Sequence, residues 1–294
     1  MRILYYGGCW PTNIGNAFID LGATHLLRAA FPNAEVHMAS EFPKWFFGQS
    51  KAGERAVSLA DWIDCEVLAV AGMTCCADFV RTEGPVLLRA AARGAAVVFL
   101  GCGQDSYSAG ESRLFADFLR ELRPAAFISR DSETFARLPG CAPKSLDGID
   151  CGFFLPEAFK PARVNRGDFA VLAFDSGPEP DLDPGMPVVR AHHDAWERKG
   201  RRPGREPDVL VSDLPGDYLN LYANCAQLHS DRVHACVAAL AYGRRARFLG
   251  TTERARLFER VGATDVAGRL VSLDLARLGE LKARQVEFVR QCLD

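Results

Sequence analysis

The chain has 294 residues, Lys and Arg number 35 against 37 Asp and Glu for a formal net charge of −2, and 48% of the residues are apolar. That length suits two domains of ordinary size, and the charge balance lacks the basic excess that a nucleic-acid partner demands. No stretch reaches the roughly 18 apolar residues of a membrane span.

Met1–Tyr6 is an apolar run ended by Gly7-Gly8 and reads as a buried strand; it lacks the long apolar region and cleavage site of a signal peptide, so a cytoplasmic location is expected. Ala17–Phe31 places Phe18, Leu21, Leu26, Leu27 and Ala30 at helical spacing and stops before Pro32. Strands are expected at Glu35–Ala39, at Cys65–Ala71 ending in Gly72, and at Ala95–Leu100 ending in Gly101-Cys102-Gly103. Helices at Val86–Arg93 and Arg113–Leu122 alternate with them, and Ala125–Ser129 is a further strand ending at Arg130-Asp131. Strands apolar throughout and separated by helices form parallel sheets covered on both faces. Such sheets bind ligands beyond the carboxyl ends of their strands, where the glycines and polar residues of this chain concentrate.

The Pro-, Asp- and Gly-rich region from Phe154 holds a linker at Phe154–Asn165. It divides the chain into a first domain at 1–155 and a second at 166–294. The second repeats the pattern, with strands at Ala170–Phe174, Val188-Val189, Val209–Val211, Ala226–His229 and Ala246–Leu249. Helices are expected at Ser230–Tyr242 and Glu253–Val261, and a closing helix at Leu275–Leu293. The fold class is therefore α/β: two doubly wound Rossmann-like domains in a GT-B-like arrangement with a cleft between them. The basic run Glu197–Arg205 reads as a solvated loop. The ten cysteines are scattered without a Cys-x-x-Cys pair, so they read as packed free thiols, and no metal site is expected.

The most informative segment is His229–Gly243. It gives a strand end, Ser230 or Asp231 as a cap, a helix of small apolar residues and Gly243 as terminator. Arg232 and His234 open that helix, where unpaired backbone N–H groups and the dipole favour an anion. A guanidinium and an imidazole there make a compact phosphate or carboxylate site.

Here the chain resembles the polysaccharide pyruvyltransferase family, whose hallmark is Arg-Leu-His opening a small-residue helix that ends in Ala-x-Gly. The matching residues are Arg232-Val233-His234 and Ala241-Tyr242-Gly243. Asn13-Ile14-Gly15-Asn16 is similar to the family's Asn-x-Gly-Asp loop, the stretch Ile128–Thr134 to its Ser-x-Arg-Asp-x-x-Ser segment, and Asp150–Leu155 to its Asp-x-x-Phe element. The order holds over roughly residues 1–265. The chain departs from the family at Asn16, which replaces Asp, and at Ala71–Cys76, which stands where a Gly-Gly-Gly turn is usual. The resemblance implies transfer of a pyruvyl group from phosphoenolpyruvate to sugar hydroxyls as a ketal, with no further cofactor and a saccharide acceptor. Arg232 would then hold the anionic donor and its leaving phosphate, and His234 would act as general acid or base.

Other candidates have two readings each. Arg130-Asp131 either positions donor or acceptor, or forms an ion pair capping the next helix. Asn13, Gly15 and Asn16 either shape an acceptor-side loop or begin a helix. His193, in His192-His193-Asp194 after a strand, offers a second cationic or acid–base group. Two alternatives to pyruvyl transfer stay open. One is a GT-B glycosyltransferase using a sugar nucleotide, with Thr251-Thr252-Glu253 as its candidate donor motif. The other is a non-catalytic binding protein of the same family.

Overall fold

Along Arg2–Gly7 (β1), Ile3 and Tyr5 enter one buried core while Leu4 and Tyr6 enter another. This is the two-sided burial of a parallel strand. The computed structural model describes residues 1–48, 56–193 and 208–293; the expected basic loop at 197–205 and Asp194 lie outside them.

The first half continues with α1 (Gly15–Ala30), β2 (Glu35–Ser40), α2 (Phe42–Gly48), β3 (Val67–Cys75), α3 (Ala77–Thr82) and α4 (Gly84–Ala92). It ends with β4 (Ala96–Gln104), α5 (Ala109–Leu122), β5 (Ala126–Ser129), α6 (Ser132–Arg137), β6 (Ser145–Asp147), a 3-10 turn at Cys151–Phe154 and α7 (Leu155–Ala158). The second half holds β7 (Ala170–Ala173), β8 (Val188–Ala191), β9 (Val209–Leu210), α8 (Pro215–Asn224), β10 (Gln227–Ser230) and α9 (Val233–Ala241). Then come β11 (Arg245–Phe248), α10 (Leu257–Arg260) and α11 (Leu275–Leu293).

Two parallel sheets result, ordered β2-β1-β3-β4-β5-β6 and β11-β10-β7-β8-β9. In each the chain starts near the middle and winds outward both ways, so strand order reverses between β1 and β3 and between β7 and β10. At such a switch point the connecting segments leave to opposite faces and open a crevice beyond the strand ends. The fold thus supplies two crevices, one per sheet.

The long β3 and β4 differ from expectation. Neither stops at Gly72 or Gly101. Both continue past them through register shifts, because glycine tolerates the irregular backbone that a bulge needs. Helix α9 starts at Val233 rather than Ser230, since Ser230 still pairs within its sheet. The expected helix at 253–261 is a 3-10 turn followed by the short α10.

Helix α11 returns to the first half. Gln285 is fully buried and binds both backbone groups of Ile149, accepting from its N–H at 2.8 Å and donating to its carbonyl at 3.2 Å. Lys282 pairs with Glu157 at 3.0 Å, and Arg290 donates to the carbonyl of Ala30 at the end of α1. A single apolar core runs from α1 through Phe153 and Leu155 to α9 and α11, joining the halves behind the crevices.

Candidate functional site

Each crevice holds a cavity. One, of about 530 Å³, lies beyond β7 and β10 and is lined by Phe174, Ser176, Arg232, His234, His193 and Thr252, among others. The other, of about 550 Å³, lies beyond β1 and β3 and is lined by Gly8, Asn16, Asp20, Glu41, Gly72 and Glu83, among others. Asn13, Arg232 and Arg254 line both. The two cavities are lobes of one cleft, with arginines where they meet.

Arg232 is the N-cap residue of α9, with extended backbone (φ −98°, ψ 114°). Its N–H donates to the Ser230 hydroxyl at 2.8 Å, and its Nε donates to Asp175 at 3.2 Å. Asp175 also meets Nδ1 of His192 at 3.0 Å and accepts from the backbone N–H of His193 at 2.9 Å. Burial pushes this carboxyl up, but His192, the His193 N–H and Arg232 outweigh it and hold it down at about 2. Asp175 is thus an ionised anchor for the cationic wall of the lobe.

His234 stands on the first turn of α9. Its Nε2 lies 3.4 Å from Asp150, which also lies 3.5 Å from Nη1 of Arg130. Asp150 caps the 3-10 turn by accepting from Gly152 N–H at 2.8 Å. Its neighbour Ile149 is the residue clamped by Gln285, so α11 fixes the carboxylate behind His234.

Arg254 was not anticipated. It follows β11, with its Nε 3.1 Å from the Thr252 hydroxyl and 3.8 Å from Asp105, and its Nη1 3.5 Å from Met73 Sδ in the opposite half. Burial and the nearby guanidiniums of Arg130 and Arg232 lower its pKa. Mutually repelling guanidiniums at one junction are an arrangement that an anion relieves.

The expected residues are sorted by this geometry. Arg232, His234, His193 and Asn13 meet in the second-half lobe, and Asn16 lines the first-half lobe. Asn13 accepts from Gly15 N–H at 3.0 Å, and Asn16 donates to the carbonyl of Cys9 at 3.3 Å. Gly15 begins α1 where a Cβ would sit 3.2 Å from His234 Cβ, so its smallness lets two helix starts approach.

Of the residues expected to bind substrate, Arg130, Asp131 and Ser230 lie outside both lobes, and Asp131 follows its helix-capping reading. Arg130 is 1% exposed and lines neither lobe; it acts through Asp150. Asp131 caps α6, accepting from Thr134 N–H at 2.7 Å and from the Tyr107 hydroxyl at 2.9 Å, which buries it completely. Ser230 is also fully buried, donating to the carbonyl of Ala173 at 2.7 Å and bracing the loop before α9. The cap expected from Asp231 goes elsewhere, because its carboxylate takes the N–H groups of Asp175, Ser176 and Gly177. His193 is not a cation: burial above all, with Arg232, His234 and His192 nearby, lowers it to about 3.

The first-half lobe holds three carboxyl groups shifted upward. Asp20 accepts from the Tyr5 hydroxyl at 2.6 Å and from Trp10 Nε1 at 2.5 Å, and burial still raises it to about 7. Glu83 accepts from the Tyr6 hydroxyl at 2.7 Å and is raised by burial to about 7. Burial, Glu83 and Asp20 raise Glu41 to about 8. Among the described residues no group of three His, Cys, Asp or Glu side chains is arranged to hold a metal.

No protein-family model and no curated protein matches this sequence. Solved structures do. The UDP-GlcNAc 2-epimerase of Methanocaldococcus jannaschii matches with a TM-score of 0.56 at 12% identity, over 96% of this chain and 91% of that one. The Neisseria meningitidis UDP-GlcNAc 2-epimerase bound to UDP-GlcNAc gives 0.54 at 13% identity, over 99% and 93%. A UDP complex of MnaA from S. aureus gives 0.54 at 10%, over 99% and 91%. At these identities the likeness is one of fold: two Rossmann-like domains facing each other in the GT-B arrangement.

Asp175, Asp150 and Arg254 complete the site. The signal for Asp175 and Arg254 was their position just past β7 and β11, at the carboxyl edge where a parallel sheet binds ligands.

Proposed function

We propose that this chain is a transferase that takes a phosphate-bearing donor at the start of α9 and passes a group from it to an acceptor in the first-half lobe, the donor being phosphoenolpyruvate and the product a pyruvyl ketal. The observation that carries this reading is the convergence of Arg232 and Arg254 at the junction of the lobes, with His234 on Asp150 beside them. Phosphoenolpyruvate carries a phosphate and a carboxylate, and two guanidinium forks with a helix N-terminus match that pair of anions. His234 delivers the proton that turns the enol methylene into a methyl group. Positive charge then develops at the ketal carbon, and two acceptor hydroxyls add in turn while the phosphate departs. One hydroxyl proton restores His234, and the other leaves with the phosphate as hydrogenphosphate. Arg232 and Arg254 stabilise the phosphate as its bond breaks.

A second reading, transfer from a sugar nucleotide, is favoured by a donor lobe of about 530 Å³, roomier than phosphoenolpyruvate needs. Two solved structures of like fold lean the same way, one a complex with UDP and the other with UDP-GlcNAc. Against it, among the described residues the acidic side chain lining that lobe is Asp231, which is committed to backbone N–H groups, and Glu253 pairs with Arg256 outside it.

Thermal stabilisation separates the readings, because a ligand bound only by the folded state adds about 2.7 kcal/mol at a hundred times its Kd. Phosphoenolpyruvate should raise the melting temperature of the wild type and not of Arg232→Ala. A shift with UDP or UDP-GlcNAc alone transfers the conclusion to the second reading. Silence from every donor overturns both and leaves a binding protein.

A further inference from the structure

His193 lines the donor lobe, yet it is 3% exposed and enclosed edge-on by Phe18 and Tyr218, with ring centroids 5.7 and 5.2 Å away. Its Nε2 lies 2.6 Å from the hydroxyl of Tyr222, itself fully buried. Among the described residues its Nδ1 has no hydrogen-bond partner. That nitrogen faces the start of α1, since a Cβ on Gly15 would lie 3.5 Å from it and 3.2 Å from the Cβ of His234.

Proton accounting fixes the tautomer. Among the described residues the Tyr222 hydroxyl has Nε2 as its hydrogen-bond partner. If Nε2 carried the proton, the phenol hydrogen and the Nδ1 lone pair would both be buried without a mate. If the phenol donates to Nε2, one orphan is left, the Nδ1–H. A buried unpaired group is costly, so the second arrangement prevails. The burial that keeps this imidazole uncharged makes it a fixed neutral donor.

We infer that His193, locked by Tyr222, presents an Nδ1–H donor to an anionic oxygen of the bound donor, a phosphate or carboxylate oxygen seated between Arg232 and the start of α1. This rests on the proposed donor site and adds to it a neutral contact that reads geometry, where the arginines read charge.

Asparagine places an amide N–H near Nδ1, and glutamine places one near Nε2. Donor affinity of the full chain, measured by calorimetry with phosphoenolpyruvate, UDP and inorganic phosphate as probes, should stay within about three-fold in His193→Asn and fall about ten-fold or more in His193→Gln. Glutamine retaining affinity while asparagine loses it assigns His193 to holding Tyr222 and overturns the inference, as does retention in both. The imidazole nitrogen spectrum of isotope-labelled wild type decides independently of any ligand or variant: protonation at Nδ1 supports the inference and protonation at Nε2 ends it. The pattern appearing with UDP while phosphoenolpyruvate stays silent keeps this inference and overturns the pyruvyl reading. Phosphoenolpyruvate binding without the pattern does the reverse. Inorganic phosphate showing the pattern assigns the contact to a phosphate oxygen, and phosphoenolpyruvate alone showing it assigns the contact to the carboxylate.

Discussion

Asp150 approaches His234 at 3.4 Å from across the two halves, so the carboxylate that orients the imidazole belongs to the first half and the imidazole to the second. Asp150 sits on a turn bound to α1 and α11, and His234 on a helix inside the shared core.

Asp150→Asn should therefore cost both stability and chemistry. It leaves the buried Arg130 guanidinium, whose Nε and Nη2 have no hydrogen-bond partner among the described residues, without its carboxylate. Breaking a buried ion pair from one side costs about 3–5 kcal/mol. Burial pushes the Asp150 carboxyl up, while His234 and Arg130 outweigh it and hold it below the ordinary range. Its stabilisation is present above the unfolded carboxyl pKa of about 3.9 and is lost as pH falls through the lower folded value. Denaturant melts between pH 3 and 7 should show a shallower acid limb in the variant; an unchanged limb would count against the pair.

Arg254→Ala should separate binding from folding. The side chain is 39% exposed and its Asp105 contact is 3.8 Å long, so stability should change by less than about 1 kcal/mol. Donor affinity should fall about ten-fold or more, with a weaker dependence on salt. Isothermal titration at two ionic strengths checks this, and unchanged affinity would remove Arg254 from the site.

The carboxyls of the first-half lobe should make the protein less stable as pH rises. Asp20 and Glu83 near 7 and Glu41 near 8 lie above their unfolded values, so the folded state holds extra protons. Each group leaves stability untouched below about pH 4, erodes it by up to about 1.4 kcal/mol per pH unit above that, and levels off past its folded value. Glu83→Gln keeps an acceptor for Tyr6 and removes one titration. Its stability curve from pH 5 to 8 should be flatter than that of the wild type, and parallel curves would refute the shift.

Gly22 on α1 should refuse even a methyl group. A Cβ there would lie 1.8 Å from the carbonyl oxygen of Cys151, the residue after Asp150. Gly22→Ala gains up to about 1 kcal/mol of helix propensity and should still lose about 3 kcal/mol or more through overpacking. Gly279→Ala, on α11 with no described atom within 4 Å of its Cβ, should gain about 1 kcal/mol and serves as the control. Chemical melts of both variants measure the contrast.

The alternation of apolar runs and helices, the parallel sheets and the Arg-x-His opening of α9 were legible in the chain. They rest on local periodicity and on the rule that parallel strands bind at their carboxyl ends, neither of which needs a distant partner. Even there, a local rule misread Ser230, since only the folded sheet shows its hydroxyl given to Ala173. The tertiary structure alone decided which strand ends face one another, and so joined Asp175 to Arg232 across 57 residues and Asp150 to His234 across 84. It also took Arg130 and Asp131 out of the cleft, because the burial of a side chain depends on what packs over it. A residue's chemical type is written in the sequence, but its dielectric surroundings and its partner are set by segments far along the chain.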